Sequence, residues 1–145
     1  MTLLKKLKNE LIEVEDLEVL DAHSDLKRFS RDFFDYSPVL EMQLQGCIAD
    51  LVVRPRSVRA VLVVSGACKR YEIPLTLRGA GTGNYGQCVP LEKGVVMLMG
   101  ALRNIRSFDE STGEVTVETG CLLGDLEKEL LIKGRQLRLL PSTWR

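Results

Sequence analysis

The sequence predicts an α+β fold of two small sheets, a parallel strand–helix–strand unit and an antiparallel sheet, flanked by helices. Three observations carry that prediction. Residues 48–53 (Ile-Ala-Asp-Leu-Val-Val) and 73–77 (Ile-Pro-Leu-Thr-Leu) are short apolar runs on either side of a helical stretch. That arrangement marks a right-handed crossover between parallel strands. Residues 105–108 and 114–119 alternate apolar and polar side chains around Asp109-Glu110-Ser111-Thr112-Gly113, which is an antiparallel hairpin. Between the two units lies a loop with four glycines in eight residues, Gly79 to Gly86.

Taken in order, Leu3, Leu4, Leu7, Leu11 and Val14 recur at helical spacing opposite Lys5, Lys8, Glu10 and Glu13. Such a helix packs on its own domain, on a partner or, through its lysines, on a membrane surface; the mixed-sign polar face favours packing. A second helix is expected to start at an N-cap, Ser24, carry Leu26, Phe29, Phe33 and Phe34 toward a core, and stop before Ser37-Pro38. Residues 1–45 thus form a helical lead-in to a domain over 46–145. The strand at 48–53 ends at Pro55. Ser57 caps a helix running to about Tyr71, with Val58, Val61, Leu62, Ser65 and Cys68 inward. Residues 94–99 add a third short strand. Gly120 breaks the hairpin's second strand, and Leu123, Leu126, Leu130 and Leu131 stripe a helix closed by Gly134. The tail, 137–145, is expected to be a strand left incomplete at the C-terminus. Val95, Met97, Leu137, Leu139 and Leu140 then face solvent, and the isolated chain self-associates through them.

The glycine loop invites an anion. Glycine lets another molecule approach the main chain, and successive N–H groups converge into an anion-binding concavity; a plain glycine-rich turn is the alternative. Residues 81–86 satisfy G-x-G-x-x-G, but that fingerprint needs a helix to follow at once. Here Pro90 and Gly94 interrupt the following stretch. The Gly-Lys-Ser/Thr ending of a Walker loop is absent as well. The loop therefore meets its anion with strand on both sides.

Composition narrows the rest. The chain has 145 residues, enough for one domain with a core, and 20 basic residues balance 20 acidic ones. No basic stripe points to nucleic acid. Cysteines 47, 68, 88 and 121 form no C-x-x-C pair, so neither a metal site nor a disulfide framework is expected, and a reducing cytoplasmic setting is. Cys88 beside the loop is either a reactive thiol or a small buried residue, and the latter is favoured. No apolar run approaches a membrane span. His23, the sole histidine, sits in a polar segment, so no Ser-His or Cys-His pair forms. The carboxylate pairs Asp32/Asp35, Asp109/Glu110 and Glu127/Glu129 are expected on the surface. A phosphate-cradling loop without a catalytic cluster fits a domain whose cofactor carries the reaction.

Residues 49–57 (Ala-Asp-Leu-Val-Val-Arg-Pro-Arg-Ser), the next helix and residues 73–83 resemble the FAD-binding domain of the vanillyl-alcohol oxidase / p-cresol methylhydroxylase flavoproteins. The glycolate oxidase subunit and D-lactate dehydrogenase group is the most similar in flavour. Gly94-Val95-Val96, Asn104-Ile105, residues 115–120, the 123–133 helix, Gly134 and Pro141 follow in the family's order. Ser30-Arg31-Asp32 resembles its lead-in. The resemblance covers about residues 30–145. It implies that 46–145 is the first part of a domain with FAD lying between two small sheets. The family's pyrophosphate loop maps onto Gly79, Ala80, Gly81, Thr82, Gly83 and Asn84, with Pro55, Gly86, Gln87 and Pro141 as lesser candidates along the cofactor channel. Arg78 either faces phosphate or pairs with a carboxylate at the strand end. Members that bind FAD covalently through this loop carry histidine where Thr82 stands, so dissociable FAD is expected. The implied function is that of a flavin-dependent oxidoreductase, a dehydrogenase or oxidase of a small molecule such as a 2-hydroxy acid, of which this chain is the first part. The isolated 145 residues are expected to bind FAD weakly or not at all and to be inactive alone. The alternatives are an interaction module of the same fold without flavin, or a binder of another phosphate ligand.

Overall fold

The computed structural model describes residues 2–33 and 35–144. Met1, Phe34 and Arg145 lie outside the described residues, and so do the inward packing expected of Phe34 and the last residue of the predicted tail strand. Along the chain run α1 (Leu3–Ile12), β1 (Leu17–Leu20), α2 (His23–Phe29), α3 (Pro38–Gln43), β2 (Leu51–Pro55) and α4 (Val58–Arg70). Then come β3 (Leu75–Arg78), β4 (Val95–Leu98), β5 (Ile105–Phe108), β6 (Val115–Val117) and α5 (Leu123–Ile132). The larger sheet has the order β1-β2-β4-β3, and β5 pairs with β6 in a second sheet. β2, β4 and β3 are parallel; β1 is antiparallel to β2. The α+β class, with its parallel unit and antiparallel hairpin, is the predicted one.

β4 organises the core. Val95, Val96, Met97 and Leu98 are all buried, as a parallel strand covered on both faces requires. On one face, Leu7 and Leu11 of α1 and Val64 and Ala67 of α4 pack on Leu51, Val53, Val95 and Met97. On the other, Ala49, Val52, Val96 and Leu98 meet Leu20, Leu26 and Phe29. Val95 and Met97, expected at a bare surface, are thus at the centre, because β4 lies between β2 and β3 and helices cover both faces. α1 belongs to this domain's own core, and Glu10 ties it to α4 by accepting from Arg70 Nη1 and Tyr71 Oη, each at 3.0 Å.

Ser57 caps α4, its Oγ accepting from Ala60 N at 3.2 Å. The inward face is only in part the expected one: Cys68 is buried and Val61 packs against the core as predicted. Ala60, Val64, Ala67 and Cys68 are buried, whereas Val58 and Leu62 are exposed. Both stripes have helical spacing; the one with small residues wins because it lets the helix axis approach the sheet.

The lead-in departs further. It contains a strand, β1, which the helical reading lacks. α2 starts after Ala22, not Ser24, and ends at Phe29. There the Ser30 hydroxyl donates to Leu26 O at 2.6 Å and accepts from Ala49 N at 2.8 Å. Phe33 is exposed rather than in the core, since the chain leaves the helix to reach the glycine loop. Ser37 instead caps α3, which has Pro38 at its first position.

Downstream, the hairpin forms with Ile105 opposite Val117 and Phe108 opposite Val115. Its turn is held by Asp109 Oδ1, which accepts from Ser111 N at 2.8 Å and Thr112 N at 3.2 Å. α5 buries Leu126 and Leu130 and leaves Leu131 exposed; Gly134 closes it, with Arg135 N donating to Leu130 O at 2.9 Å. The predicted tail strand is absent among the described residues. Leu137 N donates instead to the buried Glu127 carboxylate at 2.8 Å, which folds the tail onto α5. No helix among the described residues is long and apolar enough to cross a membrane.

Candidate functional site

The glycine loop leaves the carboxyl end of β3, where ligands of open parallel sheets bind. Its backbone turns through the left-handed region at Gly81 (φ +71°) and Gly86 (φ +84°). Among the described residues, the main-chain N–H groups of Gly79, Ala80, Gly81, Thr82, Gly83 and Asn84 meet no protein acceptor. Gly81 and Gly83 are buried or half-buried, where amides are nearly always paired, and Gly79, Ala80 and Thr82 line clefts. A run of successive unpaired amides of this kind is suited to holding an anion. The pattern stops abruptly. Tyr85 N donates to Gln87 Oε1 at 3.0 Å, and Gly86 N donates to Asp32 Oδ2 at 2.8 Å.

Two clefts flank the loop, and Ala80 lines both. One, about 570 Å³, is bounded by Thr82, Gly120, Cys121, Pro141 and Trp144, with Leu122 and Leu123 adding apolar wall. The other, about 670 Å³, opens among Arg28, Arg31, Arg54, Arg78 and Arg103, with Gly79, Phe29 and Phe33. The net-neutral sequence conceals this concentration of arginines, which Asp32 and Asp35 only partly offset. Such a cleft attracts anionic ligands toward the free amides. Of the predicted site residues, Gly79, Ala80, Thr82 and Pro141 therefore lie on cleft walls. Gly81 is buried beneath them. Gly83 and Asn84 contribute free amides at the loop's far end. Gly86 and Gln87 shape the loop and line neither cleft, and Pro55, next to Arg54 of the arginine-lined cleft, is fully buried at the end of β2 and lines neither. Gly120, Cys121, Thr143 and Trp144 were not signalled by the sequence; Gly120 there marks only a strand break.

Of the two roles its position suggested, Arg78 does not pair with a carboxylate among the described residues; it lines the arginine-rich cleft beside the loop. Only 8% exposed, it has no carboxylate within ion-pair distance among the described residues, and its Nη1 donates to Arg31 O at 2.7 Å. Its guanidinium lies against Gly81, where an added Cβ would sit 2.1 Å from Nη2. Asp32 and Glu127 are corrections of the same kind: both are buried, while Asp35, Asp109, Glu110 and Glu129 are exposed. Asp32 is drawn inward because main-chain donors around the loop await an acceptor. Burial pushes the Cys88 thiol up, with Arg78 opposing and Asp32 assisting, and raises Cys68 to about 11. Neither is a ready nucleophile. His23 is exposed at the start of α2.

The site can therefore hold a diphosphate on main-chain amides, with an apolar cleft on one side and a cationic cleft on the other. The chain is similar to several known proteins. The E. coli (strain K12) glycolate oxidase subunit GlcD is 36% identical over 70 residues, which is 48% of this chain and 14% of that protein. A D-2-hydroxyglutarate dehydrogenase, mitochondrial, of Arabidopsis thaliana is 31% identical over 84 residues, 58% of this chain and 15% of that protein. The chain thus spans about one-seventh of the length of these curated relatives. The structure of p-cresol methylhydroxylase with substrate bound superposes with a TM-score of 0.69 at 17% identity, over 91% of this chain and 24% of that one; this is a likeness of fold. The sequence profile of the FAD binding domain matches residues 49–145, a span that holds the glycine loop, its free amides and the apolar cleft, and the chain belongs to that FAD-binding family.

Proposed function

We propose that this chain holds the FAD of a flavin-dependent oxidoreductase acting on a 2-hydroxy acid. The observation that carries the proposal is the run of unpaired amides from Gly79 to Asn84, which suits a diphosphate and leaves it close to the arginine-lined cleft. Bound FAD would supply a two-electron acceptor for oxidation of a carbinol carbon. The residues of this chain do the holding. Gly79, Ala80, Gly81, Thr82, Gly83 and Asn84 donate to the diphosphate, and Pro141, Gly120, Leu122 and Trp144 offer apolar wall to a ring system. Gly86 and Gln87 set the loop's shape. Glycolate and D-2-hydroxyglutarate, named in the two relatives, share a hydroxyl beside a carboxylate, and this supports the substrate class. The unpaired cysteines 47, 68, 88 and 121 support a reducing compartment, the cytoplasm or a mitochondrial interior.

FAD is held without a covalent bond at this loop, because the Thr82 side chain has no imidazole nitrogen to attach a flavin. Acid precipitation of the flavin-loaded protein is expected to leave the yellow colour in the supernatant. Colour retained in the washed pellet would contradict this, and a purified protein that takes up no FAD at all would remove the proposal.

A further inference from the structure

The segment Ser30-Arg31-Asp32-Phe33 is distant in sequence from the glycine loop, yet it bonds to that loop at both ends. Phe33 N donates to Gly81 O at 2.7 Å. Asp32 Oδ2 accepts from Gly86 N at 2.8 Å, and Oδ1 from Cys88 N at 3.3 Å. Arg78, at the loop's root, donates back to Arg31 O. The segment is itself fixed. Ser30 Oγ bridges the end of α2 and Ala49, and Asp32 N donates to Tyr36 Oη at 2.7 Å. Asp32 is 3% exposed and its bonds to the half-buried Gly86 and Cys88 are partly shielded from water, so losing the acceptor leaves partly shielded donors unpaired.

From this geometry we infer that residues 30–33 are a strap that holds the glycine loop in its dinucleotide-accepting shape, with Asp32 as the positioning residue; this rests on the FAD reading above. The peptide plane explains how. In a trans peptide the carbonyl and the next N–H point in opposite directions. Tethering Gly81 O to Phe33 on the strap side turns Thr82 N–H away from the strap, toward the cleft that Thr82 lines. Asp32 consumes the amides of Gly86 and Cys88, which lie beyond the free run, and so marks its end. The loop is then ordered before the ligand arrives, and less ordering cost is left to binding. Arg78, packed under Gly81, opposes the negative charge of Asp32 so that the carboxylate does not repel the diphosphate.

The test compares wild type with Asp32→Ala, Asp32→Asn and Ser57→Ala, titrating FAD by flavin fluorescence and following amide hydrogen exchange of the flavin-free protein. Asp32→Ala is expected to weaken FAD binding tenfold or more and to speed exchange at Gly86 and Cys88. Asp32→Asn keeps one acceptor oxygen and restores part of both. Ser57→Ala removes only the α4 cap, so it lowers stability and leaves FAD affinity unchanged. Equal affinity in Asp32→Ala and wild type overturns the strap. An equal loss in Ser57→Ala overturns it too, since general destabilisation then explains the effect. If wild type binds no FAD, the flavin reading fails, and exchange alone decides: faster exchange at Gly86 in Asp32→Ala upholds the strap, and unchanged exchange overturns it.

Discussion

Gly120→Ala is expected to destabilise the protein by about 3 kcal/mol, the upper end of the ~1–3 kcal/mol that overpacking commonly costs. A Cβ at this position would lie 2.1 Å from Met99 O, 2.8 Å from Leu102 O and 2.9 Å from Gly100 Cα. All three are main-chain atoms of the turn that follows β4. That turn cannot swing aside, because β4 is buried on both faces and Gly120 N itself donates to Leu102 O at 2.8 Å. The same contact joins the larger sheet to the hairpin unit, so the strain falls where the two parts of the fold meet. A domain of this kind has roughly 5–15 kcal/mol of stability in total. With a urea slope of about 1–3 kcal/mol per M, the midpoint should fall by roughly 1–3 M. An unchanged midpoint would show that the two parts are not packed as described.

Gly81→Val separates binding from stability. Gly81 has φ +71°, a conformation that costs a β-branched residue about 1–3 kcal/mol. Its Cβ would also lie 2.1 Å from Arg78 Nη2 and 2.3 Å from Cζ. Unlike the atoms around Gly120, these belong to the end of a flexible side chain and can move, so the fold should survive. The cost falls on the loop, whose Arg78–Arg31 bond is lost and whose amides are re-aimed. FAD affinity should drop at least a hundredfold, equivalent to about 2.8 kcal/mol, with a native far-UV circular dichroism spectrum. A folded variant that binds FAD as tightly as wild type would show that the loop does not contact the cofactor.

Much of this architecture is legible in the sequence, and what is hidden has a physical reason. The apolar runs of β2 and β4 and the alternation of β5 and β6 announce themselves because burial on two faces or one dictates their pattern. β1 is hidden because its Leu-Glu-Val-Leu run is short and is bounded by neither proline nor glycine. The face of α4 is ambiguous because two stripes share helical spacing, and only the closeness of the sheet chooses the alanine side. The tail looks like a strand from its leucines, but a strand needs a neighbour, and Glu127 claims its N–H first. At the site, the glycines give the loop away, since few other residues turn through positive φ so readily. Asp32 is invisible to local pattern: its partners, Gly86 and Cys88, are more than fifty positions on, and only the resemblance of Ser30-Arg31-Asp32 to a family lead-in hints at it. The arginine-lined cleft is likewise assembled from separate elements of a chain with no net charge.

The central claim, that main-chain amides of residues 79–84 hold the diphosphate of FAD, is tested most directly by amide-resolved NMR during titration with FAD and, separately, with ADP. Both ligands carry a diphosphate and only one carries a flavin. Resonances of Gly79, Ala80, Gly81, Thr82, Gly83 and Asn84 should move with either ligand and their hydrogen exchange should slow, whereas the turn amides of Ser111 and Thr112, already bonded to Asp109, should not respond. Shifts confined to residues outside 79–84, or a response to FAD with none to ADP at any concentration, would contradict the account.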